Sequence, residues 1–465
     1  MLLAWLGPWH VEGTTARRLG IVLVASLIWD VLVVLDGESS IVHPTPFGVV
    51  AAVIGFPLLV WWLVAGFLKA EDGRSGRRWS SSVLQVARPL FLLLAAFVLS
   101  QVPLETNPHA PILRDATPSV ICAARNVLDD SNPYHTPELM CLHDLGVPLA
   151  LATPLRAGPF RTQAAVPTLA EARRVEAASR HNDYRTDAFP TFGYPPMSFI
   201  WMLPVARLER GAWAGWTLVW AAAWLLLTLL LARRWWPAVG SILLLQWASG
   251  GVLGEASQGD AEFFAVACLA VALMMLDKPH WSGFAMGLAV AGNQLAWVVL
   301  PAYVVLAVTL PHARVRLGWT VATIGLLVGP WLVVYPGALH AMLALVTQPA
   351  YPLGIGLVAL SVVVPALPLL SQHVYTLAVV AVELLVIGAA AWARRLTPLA
   401  PVLACAVLWL SWRSATNYLG EVPLLACAVA IGLDRITQQG PLVGPLRAVR
   451  PDAWRPSSCP PEASV

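Results

Sequence analysis

Ionisable and hydrogen-bonding side chains are scarce in this chain, and those that interrupt its apolar stretches gather in a few places: Asp115; Glu255, Gln258, Asp260 and Glu262; Asn293 and Gln294; and Trp412, Arg413, Asn417 and Tyr418. A polar or charged group at membrane depth is costly enough to count as a functional candidate by default. A solvated loop tip is the plainer explanation for any one of them. A carboxylate near a lone cation suits transfer from a lipid-phosphate donor: the carboxylate deprotonates an acceptor hydroxyl as general base, and the guanidinium holds the departing phosphate through paired hydrogen bonds. Trp and Tyr side chains would stack against sugar rings. Asp30 and Glu383, which also fall inside apolar stretches, read more simply as helix-end or interhelical hydrogen-bonding groups. His135, His143 and Asp144 lie in a polar loop at spacings that match no metal pattern.

The elements that must position these groups are membrane helices. Of the 465 residues 58% are hydrophobic and only 12% charged, against roughly 25% charged in soluble proteins, which excludes an ordinary water-soluble globule. The 29 Lys and Arg against 26 Asp and Glu leave a net charge of +3, which argues against a nucleic-acid binder. Six cysteines without a CxxC pair signal neither a zinc ribbon nor a thioredoxin-type centre. The 22 Trp and 38 Pro suit interfacial aromatic belts and broken or re-entrant helices.

Long apolar stretches place spans near 20–36, 47–68, 88–103, 212–232, 237–253, 261–276, 281–292, 294–310, 317–335, 374–393, 397–411 and 419–433. Several fall short of the roughly 20 residues of a straight crossing. Gly292-Asn293-Gln294 leaves two readings of 281–310, one kinked helix or two short ones, and the choice changes the parity. With the N-terminus inside, 18 of the 29 Lys and Arg fall in short cytoplasmic connections, as the positive-inside rule requires. Arg413 is the one basic residue in a short outer connection. No cleavable signal peptide is apparent, and the Pro-, Ser- and Arg-rich tail reads as a disordered cytoplasmic end.

Residues 104–211 form the one outer loop long enough for a structured domain. Thr117-Pro118 starts a helix that places Val120, Ile121, Ala124 and Leu128 on one side, the pattern of an amphipathic helix on a membrane surface ending at Asn132-Pro133. Thr168 and Glu171 form a capping box ahead of a charged helix to about Arg180. The stretch 197–206, after Tyr194-Pro195-Pro196, reads as re-entrant or juxtamembrane, because a full span there would put Arg233-Arg234 outside. Cys122 and Cys141 are the two cysteines on the outer side; either they pair in an oxidising compartment or they are a buried small residue and an unrelated neighbour.

Arg114-Asp115, then Ala123-Ala124-Arg125-Asn126-Val127-Leu128, Asn132-Pro133-Tyr134 and Phe192-Gly193-Tyr194-Pro195-Pro196, together with the order of spans, resemble the polyprenol-phosphate-sugar-dependent GT-C glycosyltransferases of family 87 (the DUF2029 type). The likeness covers roughly residues 85–435. It implies an all-α polytopic protein with a GT-C-like transmembrane helix bundle, whose first core outer loop is large and carries juxtamembrane helices. In that family the Asp of the first outer loop is the proposed base, a role carried to Asp115. Ser257-Gln258-Gly259-Asp260 stands where the family tends to have Gly-Gln-x-Asn, and Ser414 to Tyr418 where it tends to have Ser-Trp-x-His-Tyr. The departures are Asn293 in place of a common Lys, Ala415 in place of the Trp and Asn417 in place of the His.

These readings divide the chain into a two-span N-terminal addition (1–84), which has no counterpart in the family core and would face lipid or a partner, a GT-C-like membrane core (85–435) and a cytoplasmic tail (436–465). The expected activity is transfer of a hexosyl or pentosyl unit from a polyprenyl-phosphate donor to an envelope lipid or glycan acceptor on the outer face of a bacterial plasma membrane. Asp115 is the expected catalytic residue; Arg413, Gln258, Asp260, Glu255, Asn293, Tyr194, Trp412, Asn417 and Tyr418 are the expected donor and substrate contacts. The lipid-linked sugar is a co-substrate; no resident cofactor and no metal ligand set is expected, and a need for divalent metal is left open. A transporter or flippase, or a non-catalytic GT-C-like scaffold, would use the same polar face without bond cleavage. Broken short helices suit an enzyme or a transporter, whereas the long outer loop with its placed Asp favours the enzyme.

Overall fold

The computed structural model describes residues 13–36, 46–71, 86–87, 89–98, 100, 116–149, 168–181, 192–248, 256, 260, 262–347, 353–354, 356–363, 367–414 and 416–438. Within them the protein is a helical bundle with one short pairing, in which β1 (Leu353–Gly354) runs parallel to β2 (Arg413–Ser414). The helices, in chain order, are α1 (Thr14–Asp36), α2 (Pro46–Glu71), α3 (Pro89–Val98), α4 (Ala116–Leu128), α5 (Leu139–Asp144), α6 (Leu169–His181), α7 (Met197–Ile200), α8 (Arg210–Leu231) and α9 (Trp236–Ala248). There follow α10 (Glu262–Met274), α11 (Pro279–Gly292), α12 (Leu295–Thr309), α13 (Ala313–Val334), α14 (Ala338–Thr347), α15 (Leu357–Val363), α16 (Gln372–Trp392), α17 (Ala400–Ala406, with 3-10 turns on both sides) and α18 (Thr416–Gln438).

Each of the twelve apolar stretches holds a helix. Four stretches among the described residues are long and apolar enough to cross a membrane: Val53–Ala70, Arg210–Leu231, Ala313–Val334 and Gln372–Trp392. Their outward faces carry bare hydrocarbon, with Val321, Leu326 and Val333 of α13 and Leu377, Leu384 and Leu385 of α16 all exposed, as lipid-facing helices require. Some of the shorter helices form the interior. Helix α10 has 13 residues, a length of about 20 Å against a hydrocarbon core of about 30 Å, and nearly all of its side chains are buried.

The stretch 281–310 resolves into two helices that fold back on one another. Asn293 has extended backbone (φ −154°, ψ 147°) between them, and Ser282 Oγ lies 2.8 Å from the Tyr303 hydroxyl. A continuous helix would hold those two residues about 30 Å apart. The close pair therefore fixes an antiparallel hairpin with its apex at Asn293-Gln294. Its first arm packs on α13 through small residues: a Cβ at Gly283 would stand 2.1 Å from the Arg316 carbonyl oxygen, and one at Gly287 2.5 Å from the Thr323 Cβ. Thr320 adds a hydrogen bond from its hydroxyl to the Gly283 carbonyl (3.1 Å). Backbones that approach this closely gain dispersion contacts that bulkier residues forbid.

One end of the bundle collects the short basic connections and is tied by side chains. Asp434 of α18 accepts from Thr15 Oγ1 at 2.8 Å and from Trp235 Nε1 at 3.0 Å. Arg435 holds Asp277 through two hydrogen bonds, from Nε at 2.9 Å and Nη2 at 2.8 Å. Arg316, 1% exposed, donates to the carbonyls of Leu276 (2.8 Å), Ala307 (3.3 Å) and Pro311 (3.3 Å). Those carbonyls lie at or near helix C-termini, where the backbone dipole attracts a cation.

Helix α1 packs one side against α2 and α18. Trp29 is fully buried and meets the Phe56 ring edge-on at 5.6 Å. A Cβ on Gly420 of α18 would come within 3.0 Å of the Trp29 Nε1. Arg18 lies over the Phe67 ring at 5.6 Å, a cation–π contact. One side of α1, with Leu19, Val22, Leu23 and Trp29, therefore faces protein, while Leu27, Ile28 and Val31 stay exposed.

Candidate functional site

At the end of the bundle opposite the basic connections, α4 begins at Ala116, one residue after Asp115. Thr117, Pro118, Val120, Ile121, Cys122, Ala123 and Ala124 are all buried. The expected surface helix is thus enclosed by protein, and Leu128, expected on its apolar side, is 39% exposed. Its expected apolar side, with Val120, Ile121 and Ala124, joins the main core, while the disulfide between Cys122 and Cys141 holds α5 against the other side. Leu139, Leu142, Val147 of the α5 region and Ala172 of α6 complete a small separate core around Cys122. Ser119 Oγ donates to Glu138 at 2.5 Å, and Glu176 accepts from the Met140 backbone N–H at 2.7 Å. Helix α6 starts with the expected capping box, Thr168 N–H to Glu171 Oε2 at 2.8 Å and Glu171 N–H to Thr168 Oγ1 at 3.3 Å. The Thr168 backbone N–H, most of all, and the Thr168 hydroxyl, which donates to the same Oε2 at 2.8 Å, hold the Glu171 carboxyl below its ordinary range.

The other side of α4 rests on the segment 192–206, which forms only a four-residue helix and a 3-10 turn and so does not span. Arg125 Nε donates to the Ala206 carbonyl at 2.7 Å. Helix α4 ends at a turn in which Asp130 takes a left-handed conformation (φ 55°), one that Asp tolerates better than most residues. The chain then returns through Asn132-Pro133 to Tyr134. The Tyr134 hydroxyl donates to the Tyr194 carbonyl at 3.2 Å, and its ring packs with Phe192 at 5.7 Å and Phe199 at 6.3 Å. Burial pushes the Tyr134 hydroxyl well above its ordinary pKa, so it stays a donor across physiological pH. Phe199 meets Trp331 of α13 edge-on at 5.0 Å, and Trp331 stacks on Tyr335 at 5.8 Å. The hairpin apex completes the group, with Gln294 Nε2 donating to the carbonyls of Gly193 and of Met342 in α14.

Asp115, Glu255 and Gln258 lie outside the described residues. Asp260 is buried, and its Oδ1 accepts from the Glu262 backbone N–H at 2.9 Å. Asn293 is buried as well, its Oδ1 accepting from the Leu295 backbone N–H at 2.8 Å. Both side chains cap the starts of short helices, α10 and α12, where unpaired N–H groups would otherwise be stranded. Tyr194 is half-buried against Phe192, ring centroids 5.7 Å apart. Trp412 sits on Tyr375 of α16 at 5.5 Å. Arg413 is placed by its backbone in β2, opposite Leu353, and Asn417 by its backbone in the first turn of α18. The carbonyl of Tyr418 accepts from the Cys405 thiol at 3.3 Å.

Three of the sequence segments that stood apart, around 134, around 194 and around 294, thus meet at one end of the bundle. Tyr134, Phe199, Trp331 and Tyr335 join the group without having been singled out as site residues, and Gln294 had been noted only as a polar interruption of the apolar stretch. Their signal was weak: one more aromatic residue in an aromatic-rich chain, and a Gln beside the Asn that broke the helix pattern. Among the described residues no cluster of three or more His, Cys, Asp or Glu could hold a metal ion. Comparison with protein-family models, with curated proteins and with solved structures gives no match.

Proposed function

We propose that this chain is a GT-C type glycosyltransferase that uses a polyprenyl-phosphate-linked sugar on the outer face of a bacterial plasma membrane, with both termini on the cytoplasmic side. The observation that carries the reading is the junction of Asn132-Pro133-Tyr134 with Phe192-Gly193-Tyr194-Pro195, some sixty residues away in sequence, joined by the Tyr134 to Tyr194 hydrogen bond. Those are two of the segments on which the family resemblance rests, and α4 begins beside Asp115 at the same end.

In this reading Asp115 takes the proton of an acceptor hydroxyl as the acceptor oxygen attacks the anomeric carbon. The bond from that carbon to the phosphate oxygen breaks, and the Arg413 guanidinium receives the departing phosphate. Asp115→Asn should lower transfer by about 10²–10⁴-fold, the usual worth of a general base, with donor binding retained. Arg413→Lys should weaken donor use by one to two orders of magnitude, on the scale of about 1.5–3 kcal/mol for a charge-assisted hydrogen bond. The deciding experiment incubates the purified protein with labelled polyprenyl-phosphate sugars and candidate envelope acceptors. Labelled product that requires Asp115 supports the reading; movement of intact lipid-linked sugar across a vesicle membrane without cleavage replaces it with a flippase.

A further inference from the structure

We infer that Gln294 is a positioning residue: its amide fixes the 192–196 segment, and with it the half-buried Tyr194 ring, against the apex of the α11–α12 hairpin. The catalytic part of this inference rests on the transferase reading above; the structural part does not. The segment from Phe192 to Pro196 belongs to no helix or strand, yet Phe192, Gly193, Pro195 and Pro196 are buried. Backbone carbonyls in such a place need donors from elsewhere. Gly193 receives one from Gln294 Nε2 and Tyr194 one from the Tyr134 hydroxyl at 3.2 Å. Two consecutive carbonyls are therefore held by side chains arriving from different parts of the chain, and Pro195 and Pro196 restrict φ just beyond them.

The neighbouring Asn293 is not interchangeable with Gln294 here. Its side chain caps α12 through the Leu295 N–H, whereas Gln294 begins the next turn and reaches away from the hairpin. The same Nε2 also donates to the Met342 carbonyl at 3.3 Å, so one amide group joins α14, the hairpin apex and the aromatic segment. An amide has two N–H groups for this purpose, and a carboxylate has none. Gln294→Glu keeps the shape of the side chain but loses both donors while ionised. It regains one O–H donor when protonated.

The test compares the purified wild type with Gln294→Ala, Gln294→Glu and Tyr134→Phe, by amide hydrogen exchange and by transfer kinetics from a labelled polyprenyl-phosphate sugar across pH. Gln294→Ala should raise exchange in peptides covering 192–202 and 338–347 and leave those of 416–438 unchanged. The acceptor KM should rise about fivefold to tenfold, the scale of one lost hydrogen bond, with kcat within about twofold. Tyr134→Phe should raise exchange in 192–202 alone. Gln294→Glu should resemble Gln294→Ala at pH 8 and recover as pH falls toward the ordinary carboxyl range near 4.3; this near-isosteric variant keeps the test decisive if Gln294→Ala fails to fold. Unchanged exchange in 192–202 for both Gln294 variants overturns the tether, and raised exchange with wild-type kinetics overturns its catalytic role. A wild type that transfers no sugar refutes the transferase reading and the catalytic part with it, while exchange still decides the tether.

Discussion

The two ends of the bundle are closed by different chemistry. At the basic end, helices from the start, middle and end of the chain are joined by charged side chains with well-formed partners, Arg435 on Asp277 and Asp434 on Thr15 and Trp235. At the opposite end the ties are mainly aromatic contacts within the main core, hydrogen bonds to carbonyls of irregular backbone and one disulfide joining a small separate core, and the ion pair there, Arg207 on Asp129, is exposed. Ion pairs with buried partners lock one arrangement, because any other leaves a charge stranded. The two ends thus differ in the balance of contacts that close them, a buried ion pair at one and aromatic packing at the other.

The contrast is broken most severely at the basic end. Removing the guanidinium with Arg435→Ala leaves Asp277, whose side chain is 2% exposed, buried without its cation, at a cost of about 3–5 kcal/mol. Thermal unfolding in detergent should show the loss, and Arg435→Lys should recover part of it. The outer layer should respond next. Replacing Cys122 and Cys141 by Ala removes a tie closing 19 residues, which is worth about 2–4 kcal/mol to the unit it closes. Exchange should rise across α5 and α6 and stay unchanged in α10 and α18; equal loss in both places would mean that the outer layer and the bundle unfold together.

A smaller effect sharpens the comparison within one helix pair. Gly283→Ala puts a methyl group into the Arg316 carbonyl, where a Cβ would lie at 2.1 Å, and should cost about 1–3 kcal/mol through forced separation of α11 and α13. Gly325→Ala on α13, where nothing lies within 4 Å, should be tolerated. The smallest effect is expected at α6. The pKa of Glu171 is depressed in the folded protein, so its contribution is complete above the ordinary carboxyl value of 4.5 and is lost as pH falls through the depressed one. Peptides from the first turn of α6 should exchange faster on acidification below that range, and Glu171→Gln should remove the pH dependence; a first turn equally protected at all pH values would refute the capping role.

Hydrophobic length and helix-breaking residues made the helices legible in the sequence, since each of the twelve apolar stretches holds a helix. Pro279 at a helix start, Gly292 at its end and the Thr168–Glu171 capping box have local causes and could be read locally. What the sequence left open was settled by contacts between distant residues. The hairpin at Asn293 is decided by Ser282 meeting Tyr303, and neither residue announces the other. The apolar run of α1 suits lipid as well as protein, and which of its sides packs is decided by distant partners such as Gly420 against Trp29. Asn293 and Asp260 drew attention as polar residues between apolar stretches, and the structure accounts for both as caps on short helices. Gln294 was the more informative neighbour, but its partners lie 101 and 48 residues away.

The pairing of Thr15 with Asp434 links residues 419 positions apart, and this sets a clock on the molecule's assembly. At synthesis rates of about 5–20 residues per second, roughly 20–80 s pass between the emergence of the two partners. During that interval α1 is already made, but α18, whose Gly420 accommodates the Trp29 ring, is not. The first helix must wait with its packing surface open in the lipid, held by α2 alone among its sequence neighbours. A chain that stops before α18 never acquires the surface that closes this seam, so truncation near the C-terminus should be read by the cell as failure of the first helix as much as of the last.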